Sequence, residues 1–218
     1  FMGQEFAQPR EWSEARSLDW FVLDNPLNQG MQRWVKALNN LYNTNDALYA
    51  NDSDVMGFEW IDCDHPDKGV VSFIRRGSTP NKQLLFICNF VPVEYDDYEI
   101  GAPCFTTYKE VLNSDDVQFG GAGRLNSGKI KAIDKKTERM PYSISVTVPP
   151  LSTVVLEYDY TDVTPEDILK KKEEERKAAA AKRAAEKKAA AKKTATEKKA
   201  AEATEVVKKE SEKKTTAI

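Results

Sequence analysis

An aromatic ring set among charged groups is the feature of this sequence that could most directly do chemistry. Trp12 lies in the charged loop segment Arg10–Glu14, a setting that does not favour burial. Such a ring offers an apolar face on which the C–H groups of a sugar stack, while neighbouring charged groups bind the sugar hydroxyls. Trp12 is therefore a candidate carbohydrate contact. The alternative is that the ring packs beneath its own loop.

A glycine-containing segment, Gly123–Lys129, follows most of the spacing of a phosphate-binding loop. Ile130 stands where that motif needs a Ser or Thr hydroxyl to hold magnesium. No apolar strand leads into the segment, and no convincing helix follows it. The pattern therefore favours a polar loop over a nucleotide site.

A second polar cluster, Asp62–Asp67, contains three aspartates together with Cys63 and His65. No spacing within it fits a tetrahedral zinc set, and one histidine cannot complete such a set. We interpret the cluster as a polar turn between two strands, and we expect no metal site in the chain.

Charge is divided unevenly along the 218 residues. The whole chain has 32 basic and 35 acidic residues, but the part from Val163 onward carries a net +6 and the remainder a net −9. The acidic part would repel phosphates, which argues against nucleic-acid binding. No apolar run approaches the roughly 18–20 residues of a membrane span. Three widely spaced cysteines exclude a disulfide scaffold and favour a cytoplasmic setting.

The N-terminal quarter is predicted to contain a strand end, a loop and one helix. Phe1 to Gln8 has the pattern of an apolar strand that runs into a loop. A helix is predicted next, because apolar residues recur at steps of three and four and so share one face. These residues are Met31, Trp34, Val35, Leu38, Leu41 and Tyr42. Trp34 is accordingly expected in the core.

From Val55 onward the pattern is that of short strands. Residues 69–76 and 82–90 are rich in β-branched and aromatic residues around a turn, and they predict a hairpin. The further strand candidates are 98–100, 106–111, 142–148 and 153–160. Residues 113–141 are polar and glycine-rich and predict a loop. Several short strands joined by turns indicate an antiparallel β-sandwich.

The last segment, residues 161–218, is a low-complexity tail of Ala, Lys and Glu. Thr164 is predicted to cap a helix that begins at Pro165. Large apolar residues are almost absent beyond that point, so the tail is predicted to be a solvated helix or disordered. Binding of nucleic acid or anionic lipid by its lysines is the alternative, but interspersed glutamates favour a solvated spacer.

Several blocks of sequence closely resemble bacterial glycogen branching enzymes, which are members of the α-amylase superfamily. The most specific blocks come first and are FMGQEFAQ at residues 1–8, REW at 10–12 and SLDW at 17–20. Later blocks are GFEW at 57–60, SFIRR at 72–76, NFVPV at 89–93, KEVLNSD at 109–115 and VPPLSTV at 148–154. The resemblance covers about residues 1–160, and the tail is not part of it.

The resemblance implies a mixed fold in three parts. Residues 1–52 would be the last strand end, loop and helix of a (β/α)8 catalytic barrel. Residues 53–160 would be the all-β antiparallel sandwich that follows the barrel, and residues 161–218 would be the added tail. Since the chain begins with Phe1 rather than Met, we expect it to be the C-terminal portion of a longer protein.

The function implied is that of a 1,4-α-glucan branching enzyme, which cleaves an α-1,4 glucan chain and transfers it to a 6-hydroxyl to form an α-1,6 branch in glycogen. The family does so through a covalent glycosyl-enzyme intermediate, which needs a nucleophilic carboxylate and an acid about 5 Å apart. In this superfamily those carboxylates come from barrel strands that would precede Phe1, so no catalytic residue is assigned to this chain. The alternatives are a non-catalytic carbohydrate-binding or structural module, or the C-terminal part of another α-amylase relative.

Three residues are predicted to contact α-glucan, namely Glu5, Trp12 and Trp60. The first two would follow the eighth barrel strand and so approach the active face of the barrel. Trp60 begins the sandwich near its joint with the barrel, where simple packing is the alternative. No cofactor is implied, because glycosyl transfer is redox-neutral and needs only acid, base and nucleophile. A monomeric, cytoplasmic enzyme without a nucleic-acid or membrane partner is expected.

Truncation of the chain after Tyr160 should leave the stability of the sandwich nearly unchanged, because the tail offers no apolar stripe for packing. Urea unfolding of the full and truncated chains checks this, with a chain that ends before Thr153, and so lacks the last strong strand, as the destabilised control. A fall of more than about 1 kcal/mol in the free energy of unfolding on truncation after Tyr160 would mean that the tail packs.

Overall fold

The computed structural model describes residues 1–79, 82–180 and 182. The chain divides into two compact units, Phe1–Val163 and Thr164–Ile218. The predicted boundary between residues 52 and 53 lies inside the first unit. The assignment of residues 1–52 and 53–160 to separate domains therefore stays a prediction.

The first unit contains one α-helix, α1 (Pro26–Thr44), followed by β-strands among its described residues. The strands are β1 (Phe58–Asp62), β2 (Val70–Arg75), β3 (Gln83–Asn89), β4 (Tyr95–Ala102), β5 (Thr107–Asn113), β6 (Lys129–Lys131), β7 (Tyr142–Val148) and β8 (Thr153–Tyr158). Six of them form one sheet in the order β1-β2-β3-β8-β5-β6, and β4 and β7 form a second. All pairings are antiparallel, which confirms the predicted all-β antiparallel domain.

One hydrophobic core is shared by the two sheets. Ile74 and Leu85 from the larger sheet and Ile144 and Val148 from the smaller one are fully buried in the same cluster. Alternate residues of a strand point to opposite faces, so each strand gives its apolar positions to this core and its other positions to the outside. The ring of Tyr108 is also buried there, and its hydroxyl donates a hydrogen bond to the Cys104 carbonyl oxygen (3.0 Å).

The predicted hairpin is confirmed, because β2 and β3 pair along their full length with Phe73 opposite Phe86. The predicted loop over residues 113–141 is only partly correct. It contains a 3-10 helix, Val117–Phe119, and the short strand β6, which pairs with Thr107–Lys109. An alternation of polar and apolar residues over only three positions does not indicate a strand. The segment becomes the strand β6 because β5 offers it a free edge.

The strand end predicted at Phe1 to Gln8 is wrong. Gln4–Phe6 form a 3-10 helix, and the flanking Gly3 and Ala7 have φ angles of 96° and 56°. A strand needs a neighbouring ladder to satisfy its backbone, and this segment lies instead against α1, where Asn28 Nδ2 donates to the Phe6 carbonyl oxygen (2.8 Å). The Phe6 ring is fully buried, and its centroid lies 4.9 Å from that of the Trp20 ring.

The predicted helix is confirmed as α1, and it begins at a capped turn before the first apolar residue of the predicted face. The Asn25 Oδ1 atom accepts a hydrogen bond from the Leu27 amide (2.9 Å), and Pro26 occupies the first turn, where its missing N–H is not needed. The predicted apolar face of α1 is only partly buried, so Trp34 does not lie in the core as predicted. Trp34 meets the ring of Phe119 edge-on at 5.1 Å, and Leu41 packs near the C-terminal end of the helix against the outer face of the larger sheet.

A polar joint ties the segment after α1 to the end of β2. The Asp46 carboxylate accepts hydrogen bonds from the Ser78 amide (3.1 Å) and the Ser78 hydroxyl (2.6 Å). Asn51 Nδ2 donates to the carbonyl oxygen of Gly77 (2.8 Å). A Cβ atom on Gly77 would lie 2.3 Å from Asp46 Oδ1, so only glycine permits this approach.

The second unit begins with a helix over residues 165–180, and residue 182 is helical too. The Thr164 hydroxyl accepts a hydrogen bond from the Asp167 amide (3.2 Å), and the Asp167 carboxylate accepts from the Thr164 amide (3.1 Å). This reciprocal cap confirms the predicted helix start. The prediction for residue 181 and for residues 183–218 falls outside the described part of the chain. Within the part that is described, no helix has the length and apolar character needed to cross a bilayer.

The pH dependence of stability tests the polar joint. Hydrogen bonds from Ser78 lower the pKa of the Asp46 carboxyl in the folded protein. A lowered folded pKa stabilises the protein above the unfolded pKa, about 3.9, and this contribution is lost as the pH falls through the folded pKa. Asp46→Asn should therefore cost about 1 kcal/mol near pH 7, and the difference from the wild-type chain should shrink below about pH 4.

Urea unfolding of both chains across this pH range makes the measurement. The exposed Asp24 gives the matched control, since Asp24→Asn should leave stability unchanged at every pH. A cost for Asp46→Asn that is the same at low and neutral pH would contradict the role given to the Asp46 charge.

Candidate functional site

The loop that carries Trp12 is closed at its base by a buried carboxylate. Asp19, only 6% exposed, accepts hydrogen bonds from Arg10 Nε (2.7 Å) and Arg10 Nη2 (2.5 Å). The Asp19 amide donates to Gln8 Oε1 (2.7 Å), and Gln8 Nε2 donates to the Arg10 carbonyl oxygen (2.7 Å). The Arg10 guanidinium holds the pKa of the Asp19 carboxyl below its usual range, so this carboxylate is ionised at neutral pH.

Trp12 lies near the start of this loop, and its side chain is accessible. The ring is 37% exposed, and it meets the ring of Phe1 edge-on with the centroids 5.8 Å apart. Arg16 Nη2 donates to the Glu11 carbonyl oxygen (3.2 Å), which places a guanidinium in the same loop. A ring available to solvent beside charged groups has the chemistry needed to stack on a sugar, and its assignment stays a prediction.

Glu5 has a local partner. Its Oε2 atom accepts a hydrogen bond from the Gly3 amide (2.9 Å), which supports the turn at the N-terminal end of the 3-10 helix. The side chain is half-buried and lies several residues before the Trp12 loop. Its predicted glucan contact therefore also stays a prediction.

Trp60 belongs to a row of aromatic rings on the outer face of the larger sheet, which we call the aromatic row (Phe58, Trp60, Phe73 and Phe86). The antiparallel register sets Trp60 opposite Phe73 and Phe73 opposite Phe86. Ring centroids are 5.7 Å apart for Trp60 and Phe73, 5.2 Å for Phe58 and Phe73, and 4.9 Å for Phe73 and Phe86. The row is therefore continuous across three strands.

The exposed end of the aromatic row is at β1. The residue Trp60 is 42% exposed, whereas Phe73 and Phe86 are half-buried beneath their neighbours. Arg75 lies opposite Phe58 in the register and donates to Asp52 Oδ1 (2.6 Å), so a charged pair flanks the rings. The sequence singled out Trp60 but not Phe73 and Phe86. Their alternation within the predicted hairpin was the available signal, and only the pairing register shows that the rings touch.

The polar cluster at Asp62–Asp67 lines a cleft of about 300 Å³ together with residues 99–101 and 137–139. Its charges pair with one another. His65 Nδ1 lies 2.8 Å from Asp62 Oδ1, Lys135 Nζ lies 2.5 Å from Glu99 Oε2, and Arg139 pairs with Asp64. Asp62 raises the pKa of His65. Within the described residues, no group of three or more His, Cys, Asp or Glu side chains is arranged to hold a metal ion.

The segment that partly matches a phosphate-binding loop has a different structure. Lys129, which would contact phosphates in such a loop, begins β6 and lies opposite Lys109. Arg124 Nε pairs with Glu94 Oε2 (2.8 Å), and the Gly123 amide donates to the Asp115 carbonyl oxygen (2.6 Å). The segment therefore lacks the strand-to-helix turn that cradles phosphate groups.

The comparison with known families gives a match for the β-strand region of the chain. Residues 60–159 match the family described as the α-amylase C-terminal all-beta domain. These residues include nearly all of the two sheets and their shared core. Residues 60–159 are therefore similar to the α-amylase C-terminal all-β domain in sequence, and they form an all-β antiparallel fold.

More particular relatives share a longer region. The chain is 42% identical over 159 residues to the 1,4-alpha-glucan branching enzyme of Oceanobacillus iheyensis, which covers 73% of this chain and 25% of that protein. It is 46% identical over 156 residues to the enzyme of the same name from Hydrogenovibrio crunogenus, covering 72% and 21%. For the Clostridium perfringens enzyme the identity is 43% over 159 residues, covering 72% and 24%. These relatives confirm the family resemblance, and the chain spans about a quarter of their length.

Truncation of the exposed ring of the aromatic row should cost little stability. Trp60→Ala removes ring contacts with Phe58 and Phe73 and should lower the free energy of unfolding by about 1–2 kcal/mol. Tyr108→Ala, at a fully buried ring, should cost about 3–5 kcal/mol. Urea unfolding of the two variants makes the comparison, and an equal loss in both would mean that Trp60 is a structural core residue.

Proposed function

We propose that this chain is the C-terminal part of a 1,4-α-glucan branching enzyme, an enzyme that cleaves α-1,4 glucan chains and transfers them to form α-1,6 branches in glycogen. The observation that carries the proposal is the identity of 40% or more to proteins of that name over nearly three-quarters of the chain. This similarity extends beyond the C-terminal β domain, so it is more specific than the domain match alone.

Residues 1–52 would be the end of the (β/α)8 barrel, contributing the loop and helix that follow its last strand. Support comes from the surface of this region, where large apolar side chains are exposed to solvent. They include Phe1, Trp20, Phe21 and Leu27. An apolar face of this kind is typical of a surface that other elements cover, and the remaining barrel would cover it.

The branching reaction itself would use groups that precede Phe1. A retaining transfer needs a carboxylate nucleophile and a carboxylic acid about 5 Å apart across the scissile bond. Asp19 is unsuited to either task, because Arg10 keeps it ionised, which excludes an acid, and it is only 6% exposed, which excludes attack on a substrate. We therefore assign no catalytic residue to this chain, and the chemistry requires no cofactor because glycosyl transfer is redox-neutral.

The contribution of this chain would be to hold the glucan. The exposed rings of Trp12 and Trp60 would stack on the C–H faces of glucose units, and Glu5 would contact the chain that is being transferred. Binding energy of this kind orients a long substrate for reaction at a distant centre. We further propose a cytoplasmic, monomeric enzyme whose partner is α-glucan rather than nucleic acid or membrane.

A non-catalytic carbohydrate-binding or structural module is the alternative from another class, and the exposed aromatic row is the observation that favours it. The C-terminal part of a different α-amylase relative is the alternative within the enzyme class. Assay of the chain fused to the upstream sequence of its own gene decides between these alternatives, since only a branching enzyme changes the iodine absorbance of amylose through chain transfer.

The present chain should bind glycogen and be catalytically inactive. In native gels that contain glycogen, Trp12→Ala and Trp60→Ala should each weaken retention by about fivefold, because a stacking ring contributes on the order of 1 kcal/mol. Phe90→Ala, at an exposed ring outside both sites, is the matched control and should have no effect. Branching activity of the chain alone would contradict the absence of catalytic residues, and equal retention of all variants would contradict the assigned rings.

A further inference from the structure

The loop between Arg10 and Asp19 has no core of its own. None of residues 11–18 is buried, and most are exposed. A segment of this kind gains little from apolar packing, so its conformation depends on the contacts that close its ends. In this loop those contacts are the hydrogen bonds among Gln8, Arg10 and Asp19.

These contacts form a closed circuit, which we call the loop clamp (Gln8, Arg10 and Asp19). The Arg10 guanidinium binds both oxygens of the Asp19 carboxylate in the two-pronged geometry that fixes orientation as well as distance. Gln8 then joins the two ends of the loop, accepting from the Asp19 amide and donating to the Arg10 carbonyl oxygen. The Arg10 and Asp19 side chains depend on each other for their hydrogen bonds. Gln8 binds backbone groups of the same two residues, so it holds together the loop ends that the Arg10–Asp19 pair orients.

The clamp lies next to the exposed ring in the sequence. Trp12 is two residues after Arg10, and outside the loop it contacts only the edge-on Phe1 ring among the aromatic contacts of the described residues. The edge-on contact with Phe1 does not by itself prevent the Trp12 ring from moving with the backbone of the loop. The position of the ring therefore depends on how firmly the base of the loop is held.

We propose that Asp19, acting through Arg10 and Gln8, is a positioning residue that presents Trp12 to the glucan. This inference rests on the proposed function, since it takes the glucan contact of Trp12 from there. Asp19 does not touch the sugar. It holds the loop in the conformation that Trp12 needs for stacking, so that less conformational freedom is lost when the glucan binds.

A double-mutant cycle in the full chain separates positioning from direct contact. Glycogen affinity is measured for the wild-type chain, Asp19→Asn, Trp12→Ala and the double variant. Asparagine keeps the shape of the side chain but offers the guanidinium one acceptor oxygen instead of two. We expect Asp19→Asn to weaken binding about threefold or more in the wild-type background and to have no further effect once Trp12 is absent.

Two further variants control the cycle. In the Trp60→Ala background, Asp19→Asn should weaken binding by the same factor as in the wild-type chain, because Trp60 lies on the sandwich and not in the loop. Arg10→Lys keeps the positive charge but loses the two-pronged contact, so it should reproduce the effect of Asp19→Asn. Arg10 is partly exposed, so this variant tests the clamp even if Asp19→Asn fails to fold.

Limited trypsin digestion gives a readout that does not depend on binding. Cleavage after the exposed Arg16, followed by mass spectrometry, should be faster in Asp19→Asn and Arg10→Lys than in the wild-type chain, because the loop opens more often. Cleavage in the Trp12→Ala variant should stay at the wild-type rate.

The outcomes separate the two proposals. The positioning role is overturned if Asp19→Asn weakens glycogen binding equally with and without Trp12, or does not weaken it at all. The glucan surface at Trp60 stands in either case. Loss of glycogen binding in Trp60→Ala but not in Trp12→Ala also overturns the positioning role and leaves the glucan surface at Trp60 intact. A wild-type chain that does not bind glycogen overturns the glucan surface itself, and the positioning role falls with it.

Discussion

The antiparallel register between β2 and β3 is the constraint on which both the core and the aromatic row depend. It sets Ile74 beside Leu85 on the inner face and Phe73 beside Phe86 on the outer face. Because side chains alternate between faces, a slip of one residue would exchange the two sets. Buried aliphatic side chains would then face water, so the hydrophobic core holds the register and the register assembles the rings.

Charged groups fix the segments that the core does not reach. The Asp46 carboxylate holds the end of β2 against the segment after α1, and the Asp19 carboxylate holds the ends of the Trp12 loop. In both places a carboxylate accepts two hydrogen bonds from one residue elsewhere in the sequence, Ser78 for Asp46 and Arg10 for Asp19. Such contacts contribute modestly to the free energy of unfolding, but they are directional and so determine local geometry.

The two candidate surfaces follow different principles. The rings of the aromatic row are held by contact with one another and with a sheet, so the row is rigid without any specific polar partner. Trp12 lies on a loop without a core and takes its position from the loop clamp. The chain therefore holds its two candidate rings in different ways, one by packing on a sheet and the other by hydrogen bonds at the base of a loop.

Much of this architecture is encoded locally. The 3.6-residue apolar period predicted α1, β-branched runs around a turn predicted the β2–β3 hairpin, and Thr164 with Pro165 predicted the start of the tail helix. Each of these signals comes from neighbouring residues and their own backbone preferences. Trp12 was likewise singled out from its type and immediate surroundings, and Trp60 from its place in the family resemblance, and the glucan contacts of both stay predictions.

The remainder depends on contacts between residues far apart in the sequence. Phe1 to Gln8 has a strand-like composition, yet Gln4–Phe6 within it form a 3-10 helix, because the neighbour of this segment is α1 and not a sheet edge. Lys129–Lys131 becomes a strand only because β5 leaves an edge open, and Phe73 and Phe86 join Trp60 only through the register. The sequence by itself determined the elements with strong local signals, namely α1, the β2–β3 hairpin and the start of the tail helix. The tertiary structure alone decided which side chains meet, because hydrogen-bond ladders and a shared core are properties of paired segments and not of any one of them.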